Sequence, residues 1–224
     1  MERAGNGDRA EPTDELLSEI DPSSPVDERR LRLHALADRV AEWGRQMNLT
    51  GYRDAQGIFH GMVLDALDLF VAVQARLGGG ARRIADLGSG AGFPGLPMAI
   101  AAPACEVTLV EARRRRHHFQ RSACRSIPIE NARPVLGRLE EVEPIPAALV
   151  FAQAVGPLPK VLELASSWVT PGGWLVVPSG PQLQAEPPGP CWANQSVQPY
   201  GKGRSPASRK FWIGQRTQIP MDSP

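Results

Sequence analysis

Ile84-Ala85-Asp86-Leu87-Gly88-Ser89-Gly90-Ala91-Gly92-Phe93-Pro94-Gly95 is the stretch that decides the fold. A short apolar run ends in an acid, the pattern of a buried strand that delivers a carboxylate to its carboxyl end. Gly88, Gly90 and Gly92 follow at alternate positions, so the backbone can take positive φ and no side chain projects above the turn. Phe93-Pro94-Gly95-Leu96-Pro97-Met98-Ala99-Ile100 then opens a helix. Its prolines fall in the first turn or two, where missing N–H groups cost little. Strand, glycine loop and helix N-terminus together predict a binding ledge at the carboxyl edge of a parallel sheet.

Two ligands compete for that ledge. Gly90, Gly92 and Gly95 satisfy the letter of G-x-G-x-x-G, with Glu111 near the expected distance downstream, which suggests a dinucleotide. That fingerprint needs its first glycine directly after the strand, and a pyrophosphate needs free N–H donors where Pro94 and Pro97 stand. Asp86-x-Gly88-x-Gly90 at a strand end instead suits a cationic ligand without phosphates, an amino group or sulfonium facing a carboxylate. That is the S-adenosylmethionine (SAM) arrangement. A glycine turn with no ligand at all is a weaker reading, since so many glycines are costly unless something must approach closely.

Outward from the ledge, strands and helices alternate. Ile84 to Asp86 and Val107 to Glu111 read as strands, each ending in an acid, with a helix ending near Ala101 between them. A helix over 113–126 carries Arg113, Arg114, Arg115, Arg116, Arg121 and Arg125. Pro134 to Leu136, Ala148 to Phe151 and Trp174 to Val177 read as further strands. Pro159 to Ser167 is a helix and Pro171-Gly172-Gly173 a turn. The stretch 182–208, rich in Pro, Gly and Ser, reads as a long loop, and Lys210 to Gly214 as a last, antiparallel edge strand. The pattern predicts an α/β fold with a doubly wound sheet.

Upstream, residues 1–23 are polar and read as a disordered tail. Residues 24–80 read as an N-terminal helical cap, and 81–224 as the ligand-binding domain. Ser24-Pro25-Val26-Asp27 is a helix start, after which Leu33, Leu36, Val40, Trp43 and Met47 recur on one face. Phe59, Val63, Leu67, Phe70, Val73 and Leu77 mark a second helix ending at Gly78.

A chain of 224 residues that is 42% apolar can bury a real core. The net charge of +1 gives no global basic signal, so any nucleic-acid surface must be local. Cys105, Cys124 and Cys191 are widely spaced, indicate neither a zinc site nor a disulfide framework, and fit a reducing cytosol. With no apolar leader and no run expected to approach membrane-spanning length, a soluble cytoplasmic protein is expected.

Asn48-Leu49-Thr50, Arg53-Asp54, Leu64-Asp65, the block from Asp86 to Pro97, and Arg138-Leu139-Glu140-Glu141 occur in order and at matching spacing. Over about Leu31 to Gly214 the chain resembles the bacterial small-subunit rRNA guanine-N7 methyltransferases, also called glucose-inhibited division protein B. The resemblance implies a class I SAM-dependent methyltransferase fold, Rossmann-like and doubly wound, with an N-terminal helical cap. It implies SAM as cofactor and a guanine in a decoding-region loop as substrate, on small-subunit rRNA or the small ribosomal subunit.

Carried over by position, Asp86, Gly88 and Gly90 would hold the methionine part of SAM, with Ser89, Gly92 and Phe93 in the same loop. Glu111 would take the ribose hydroxyls, and Leu139 and Glu140 would lie along the adenine. Glu111 and Glu140 also read as ordinary exposed acids, and Asn48 either as a substrate-side residue or as a helix cap. Arg113, Arg114, Arg115 and Arg116 are the candidate phosphate contacts, or else a solvated helix face. His117 and His118 read as surface residues. No metal and no membrane partner are expected, and the protein is expected to be a monomer.

The chain departs from the family at usually cationic positions. Gly61-Met62 stands where the family has Arg-His, with His60 out of alignment. Ala152-Gln153-Ala154 stands for Ser-Arg-Ala, and Ser179-Gly180 for Lys-Gly. The rival readings are a SAM-dependent methyltransferase with another RNA or a small molecule as acceptor, a non-catalytic SAM- or RNA-binding module, and a dinucleotide oxidoreductase.

Overall fold

The structure, a computed structural model, describes residues 12–179, 191–201 and 209–217. Helices α1 (Pro12–Ile20) and α2 (Val26–Gly44) come first. A continuous helical rod follows, made of α3 (Ala55–Ile58), a π-helical turn (Phe59–Val63) and α4 (Leu64–Leu77). Then come β1 (Arg83–Leu87), α5 (Gly95–Ala101), β2 (Glu106–Glu111), α6 (Arg114–Ser126) and β3 (Ala132–Leu136). The chain closes with β4 (Ala147–Ala152), α7 (Leu158–Ala165), β5 (Val169–Ser179), β6 (Trp192–Tyr200) and β7 (Arg209–Arg216).

Seven strands form one sheet in the order β3-β2-β1-β4-β5-β7-β6. The first five are parallel, and β7 and β6 run antiparallel. Strand order reverses between β1 and β4, the place where α/β sheets open a crevice at their carboxyl ends. The central strands are apolar on both faces, as strands covered by helices on both sides must be. On one face Ile84, Val107, Leu109, Leu149 and Phe151 share a core with the N-terminal helices, α5 and α6. On the other, Ala85, Leu87, Val110, Val150 and Trp168 pack with Val161 and Ala165 of α7.

Several sequence expectations change. Within the expected tail, α1 is an ordered helix whose Thr13, Leu16, Leu17 and Ile20 are buried at three- and four-residue steps. It is held by Arg29, whose buried guanidinium donates to the carbonyls of Leu17, Asp21, Ser24, Pro25 and Ala101. One arginine thus gathers carbonyls from the ends of α1 and α5. Helix α1 packs with the other N-terminal helices in the core they share with the sheet.

In the expected loop, Trp192–Tyr200 is a strand. Its alternation is broken by a register shift between Ala193 and Ser196, where Asn194 takes φ 50°. Pro199 fits because β6 is the edge strand. That leaves β7 antiparallel but internal. The turn expected at 171–173 lies within β5, which shifts register against β4 there. Residues 182–190 and 202–208 of the expected loop lie outside the described residues.

The rod Ala55–Leu77 is also long and apolar enough to cross a membrane by length and composition, contrary to the expectation from sequence. Its Ile58, Phe59, Val63, Leu67, Phe70 and Val73 are buried in the core.

Candidate functional site

The ledge is held open by its own backbone and by two acids beneath it. Gly88, Gly90 and Gly92 all take positive φ (69°, 57° and 85°). The N–H groups of Gly92 and Phe93 donate to the Ser89 carbonyl at 2.7 and 3.0 Å. Gln120 of α6 donates through Nε2 to Ser89 Oγ (2.8 Å) and to the Gly90 carbonyl (2.9 Å), clamping the loop from below.

Asp86 is fully buried at the end of β1. Its Oδ2 accepts from the Gly95 N–H at 2.9 Å, so it straps the loop to the start of α5. Burial raises its pKa to about 7, against the lowering effect of the Gly95 bond, and nearby Glu111 adds to the rise. Its Oδ1 and the Oε1 of Gln120 have no hydrogen-bond partner among the described residues. Asp86 was expected to hold the methionine part of SAM; in the structure it has no exposed surface and fixes the loop through Gly95.

Glu111 closes β2 with a buried carboxylate. Oε2 accepts from Gly90 N–H at 2.9 Å and Oε1 from Arg113 N–H at 2.6 Å, which joins the ledge to the start of α6. Each oxygen keeps a second lone pair. The space above Gly90 is open: a Cβ there would meet nothing nearer than Nη1 of Arg116, at 3.7 Å. A Cβ on Gly88 would instead strike Val155 at 2.9 Å. A carboxylate at a strand end beside an open stretch of backbone fits the ribose and amino-acid parts of SAM.

The remaining expected residues divide. Leu139, half-buried, packs under the sheet with Val142 and Ile145, while Glu140 is exposed in the same turn. Arg113, Arg114 and Arg115 are exposed at the start of α6, whereas Arg116 is half-buried and leans over the ledge. Neither histidine is in the site. His118 meets the Trp43 ring edge-on, and burial lowers the pKa of His117, opposed by its bond to the Pro134 carbonyl. Asn48 is exposed after α2.

Beside the ledge lies a cavity of about 190 Å³. Phe93 and Pro94 form its ledge side, Thr50, Tyr52, Gly61, Met62 and Asp65 its cap side, and Gln153 and Arg209 also line it. Arg209 donates to Asp65 Oδ2 at 3.0 Å, and the Tyr200 hydroxyl lies 3.4 Å from the same oxygen. Burial raises the Asp65 pKa to about 6; Arg209 and Tyr200 oppose the rise and Asp68 adds to it. Sequence reasoning missed Arg209 and Tyr200, which approach Asp65 only because they face each other in the β6–β7 register.

A family model described as rRNA small subunit methyltransferase G (GidB) matches residues 30–188. The chain belongs to the GidB family. The small-subunit methyltransferase G of Myxococcus xanthus is 37% identical over 160 residues, covering 69% of this chain and 71% of that one. The enzyme of the same name from Nitratidesulfovibrio vulgaris is 35% identical over 175 residues, covering 77% and 79%.

Among solved structures, YhhF of Escherichia coli, assigned as a methyltransferase, superposes with a TM-score of 0.52 at 18% identity, over 69% of this chain and 88% of that one. A protein of Klebsiella pneumoniae assigned as an O-methyltransferase gives 0.53 at 16% identity, over 92% and 96%. The fold is that of the class I SAM-dependent methyltransferases.

Three of the neutral positions noted in the sequence are neighbours. Gly61, Met62 and Gln153 line the one cavity. Ser179 stands at the end of β5, its backbone paired with Lys210, and Gly180 lies outside the described residues. Arg209 brings a cation into the same cavity from a different strand.

Proposed function

We propose that this GidB-family protein is a SAM-dependent methyltransferase acting at N7 of a guanine in an unpaired loop of small-subunit rRNA, in the cytoplasm. The observation that carries the reading is the juxtaposition of two unlike surfaces across Phe93 and Pro94. An open glycine ledge with a strand-end carboxylate lies on one side, and a base-sized cavity lies on the other.

SAM supplies a methyl group activated by its sulfonium. On this reading the backbone at Gly88–Gly90 receives its methionine part, the free lone pairs of Glu111 accept from its ribose hydroxyls, and Leu139 lies under its adenine. Guanine N7 already carries a lone pair, so no base has to remove a proton. The protein's work is therefore positioning, with N7 brought about 3–3.5 Å from the methyl carbon and in line with the bond that breaks. That chemistry needs no catalytic dyad. Arg113, Arg114 and Arg115 would hold flanking phosphates, since they are exposed at one helix start.

The test is calorimetric titration with SAM and with NAD, followed by methyl transfer from radiolabelled SAM to naked small-subunit rRNA and to assembled subunits. SAM binding without NAD binding, and label entering one of the two RNA substrates, is the expected result. Label entering a small molecule or another RNA instead would move the acceptor, as the neutral Gly61, Met62 and Gln153 would then suggest. NAD binding would return the ledge to the dinucleotide reading.

A further inference from the structure

The cavity beside the ledge holds groups that methyl transfer at N7 does not itself require. Tyr52 lies at its mouth, 42% exposed, with its ring over Gly61. A Cβ built on Gly61 would sit 2.2 Å from Cζ and Oη of that ring, so the ring occupies the place a side chain at 61 would need. Glycine at 61 thus leaves room for the aromatic face of Tyr52. Deeper in, the Asp65 side chain is 17% exposed and is fixed by Arg209 and Tyr200 from the end of the β6–β7 hairpin. An aromatic face with a fixed carboxylate beside it is a means of gripping one base and reading one of its edges.

The edge is determined by the chemistry of the purine. A guanine that turns N7 toward the ledge presents its N1–H and exocyclic 2-amino group, both donors, on the opposite side of the ring. A carboxylate accepts from both. Adenine offers an acceptor at N1, which a carboxylate repels.

Building on the methyl-transfer reading above, we propose that this cavity selects guanine. Tyr52 stacks the extruded base, and Asp65, held in place by Arg209, accepts from its N1–H and 2-amino groups. Extruding the base costs stacking energy, which the Tyr52 face returns in part.

The experiment compares single-turnover methyl transfer from SAM to two small-subunit rRNA fragments. They differ only in carrying guanine or inosine at the methylated position. Inosine keeps N7 and N1–H but lacks the 2-amino group. The wild-type protein is expected to be slower on inosine by roughly ten-fold or more, the loss for one hydrogen bond to a charged acceptor.

Asp65→Asn should slow transfer to guanine and bring the guanine-to-inosine ratio close to one, with SAM affinity unchanged. A merely structural role for Asp65 would slow both substrates equally and keep the ratio, and that result overturns the proposal. So does equal wild-type speed on guanine and inosine, which needs no variant. Tyr52→Phe should retain the rate while Tyr52→Ala raises KM for RNA; equal behaviour of the two removes the stacking role. SAM binding with no transfer to any rRNA by the wild-type protein would instead overturn the function proposed above.

Discussion

The two walls of the cleft are built differently. The ledge comes from neighbouring segments: one strand-loop-helix passage, a second strand end and the start of the next helix, tied by backbone N–H groups that donate to the carboxylates of Asp86 and Glu111. The opposite wall is assembled from the loop after α2, the π-helical turn, α4, the end of β4 and the last hairpin. Its closing ion pair joins residues 144 positions apart. The ledge is contiguous in sequence, while the other wall sets neutral Gly61, Met62 and Gln153 beside one distant arginine, Arg209. A wall folded from contiguous segments is held by local contacts, whereas one gathered from many elements depends on the whole tertiary fold.

The sharpest way to break this comparison is to put a side chain into the ledge. Gly90→Val should abolish SAM binding in a protein that still folds, because the space above Gly90 is open for ligand and the added strain at positive φ is only on the order of 1–2 kcal/mol. Gly88→Val, by contrast, strikes Val155 and should lower the melting temperature. Undiminished SAM affinity in folded Gly90→Val would remove the ligand from the ledge.

The second effect concerns Asp86 and depends on pH. Its folded pKa, about 7, lies above the ordinary carboxylate value of 3.8, so the folded state holds the proton more tightly than the unfolded state. That contribution to stability is present at low pH and is lost as pH rises from about 4 to about 7. Asp86→Asn lacks the titration, so its stability relative to wild type should improve across that window by up to about 4 kcal/mol. Urea denaturation of both proteins at pH 4.5 and pH 8 measures it. A difference independent of pH would mean that the buried carboxyl does not titrate as described.

How much of this was legible in sequence follows the same division. The ledge could be read because its glycines, its prolines and its two strand-end acids are contiguous and each has a local physical meaning. The burial of Asp86 and its bond from the Gly95 N–H could not be read, because they are tertiary facts. Helix α1 was hidden by its polar composition, and it is ordered by Arg29, a contact no helix periodicity reveals. Strand β6 was hidden by its register shift and Pro199. Arg209 and Tyr200 could have been suspected only from the unexplained Leu64-Asp65 element, which carries a carboxylate into the start of a mostly apolar helix.

A smaller effect separates the acids of the ledge. Glu111→Ala should weaken SAM by about 1.5–3 kcal/mol, roughly ten- to a hundred-fold, with the loosened Gly90 and Arg113 backbone contributing to the loss. Calorimetry showing unchanged affinity would leave Glu111 as a loop anchor alone.

The smallest effect lies on α6 and sharpens the boundary between donor and RNA surfaces. Alanine at Arg113, Arg114 and Arg115 should flatten the salt dependence of RNA binding by roughly 0.7–0.9 log units per log salt for each phosphate no longer neutralised, with SAM affinity unchanged. Arg116→Ala should do the reverse, since its guanidinium stands over the ledge. An unchanged slope in the triple variant would make those arginines an ordinary solvated helix face.

The most direct measurement is the position of the transferred methyl group. Small-subunit rRNA incubated with the protein and SAM carrying a deuterated methyl, then digested and read by mass spectrometry, should show the label on N7 of a single guanine in an unpaired loop. Label on another atom or another base, or no label in RNA from a protein that binds SAM, would contradict the account.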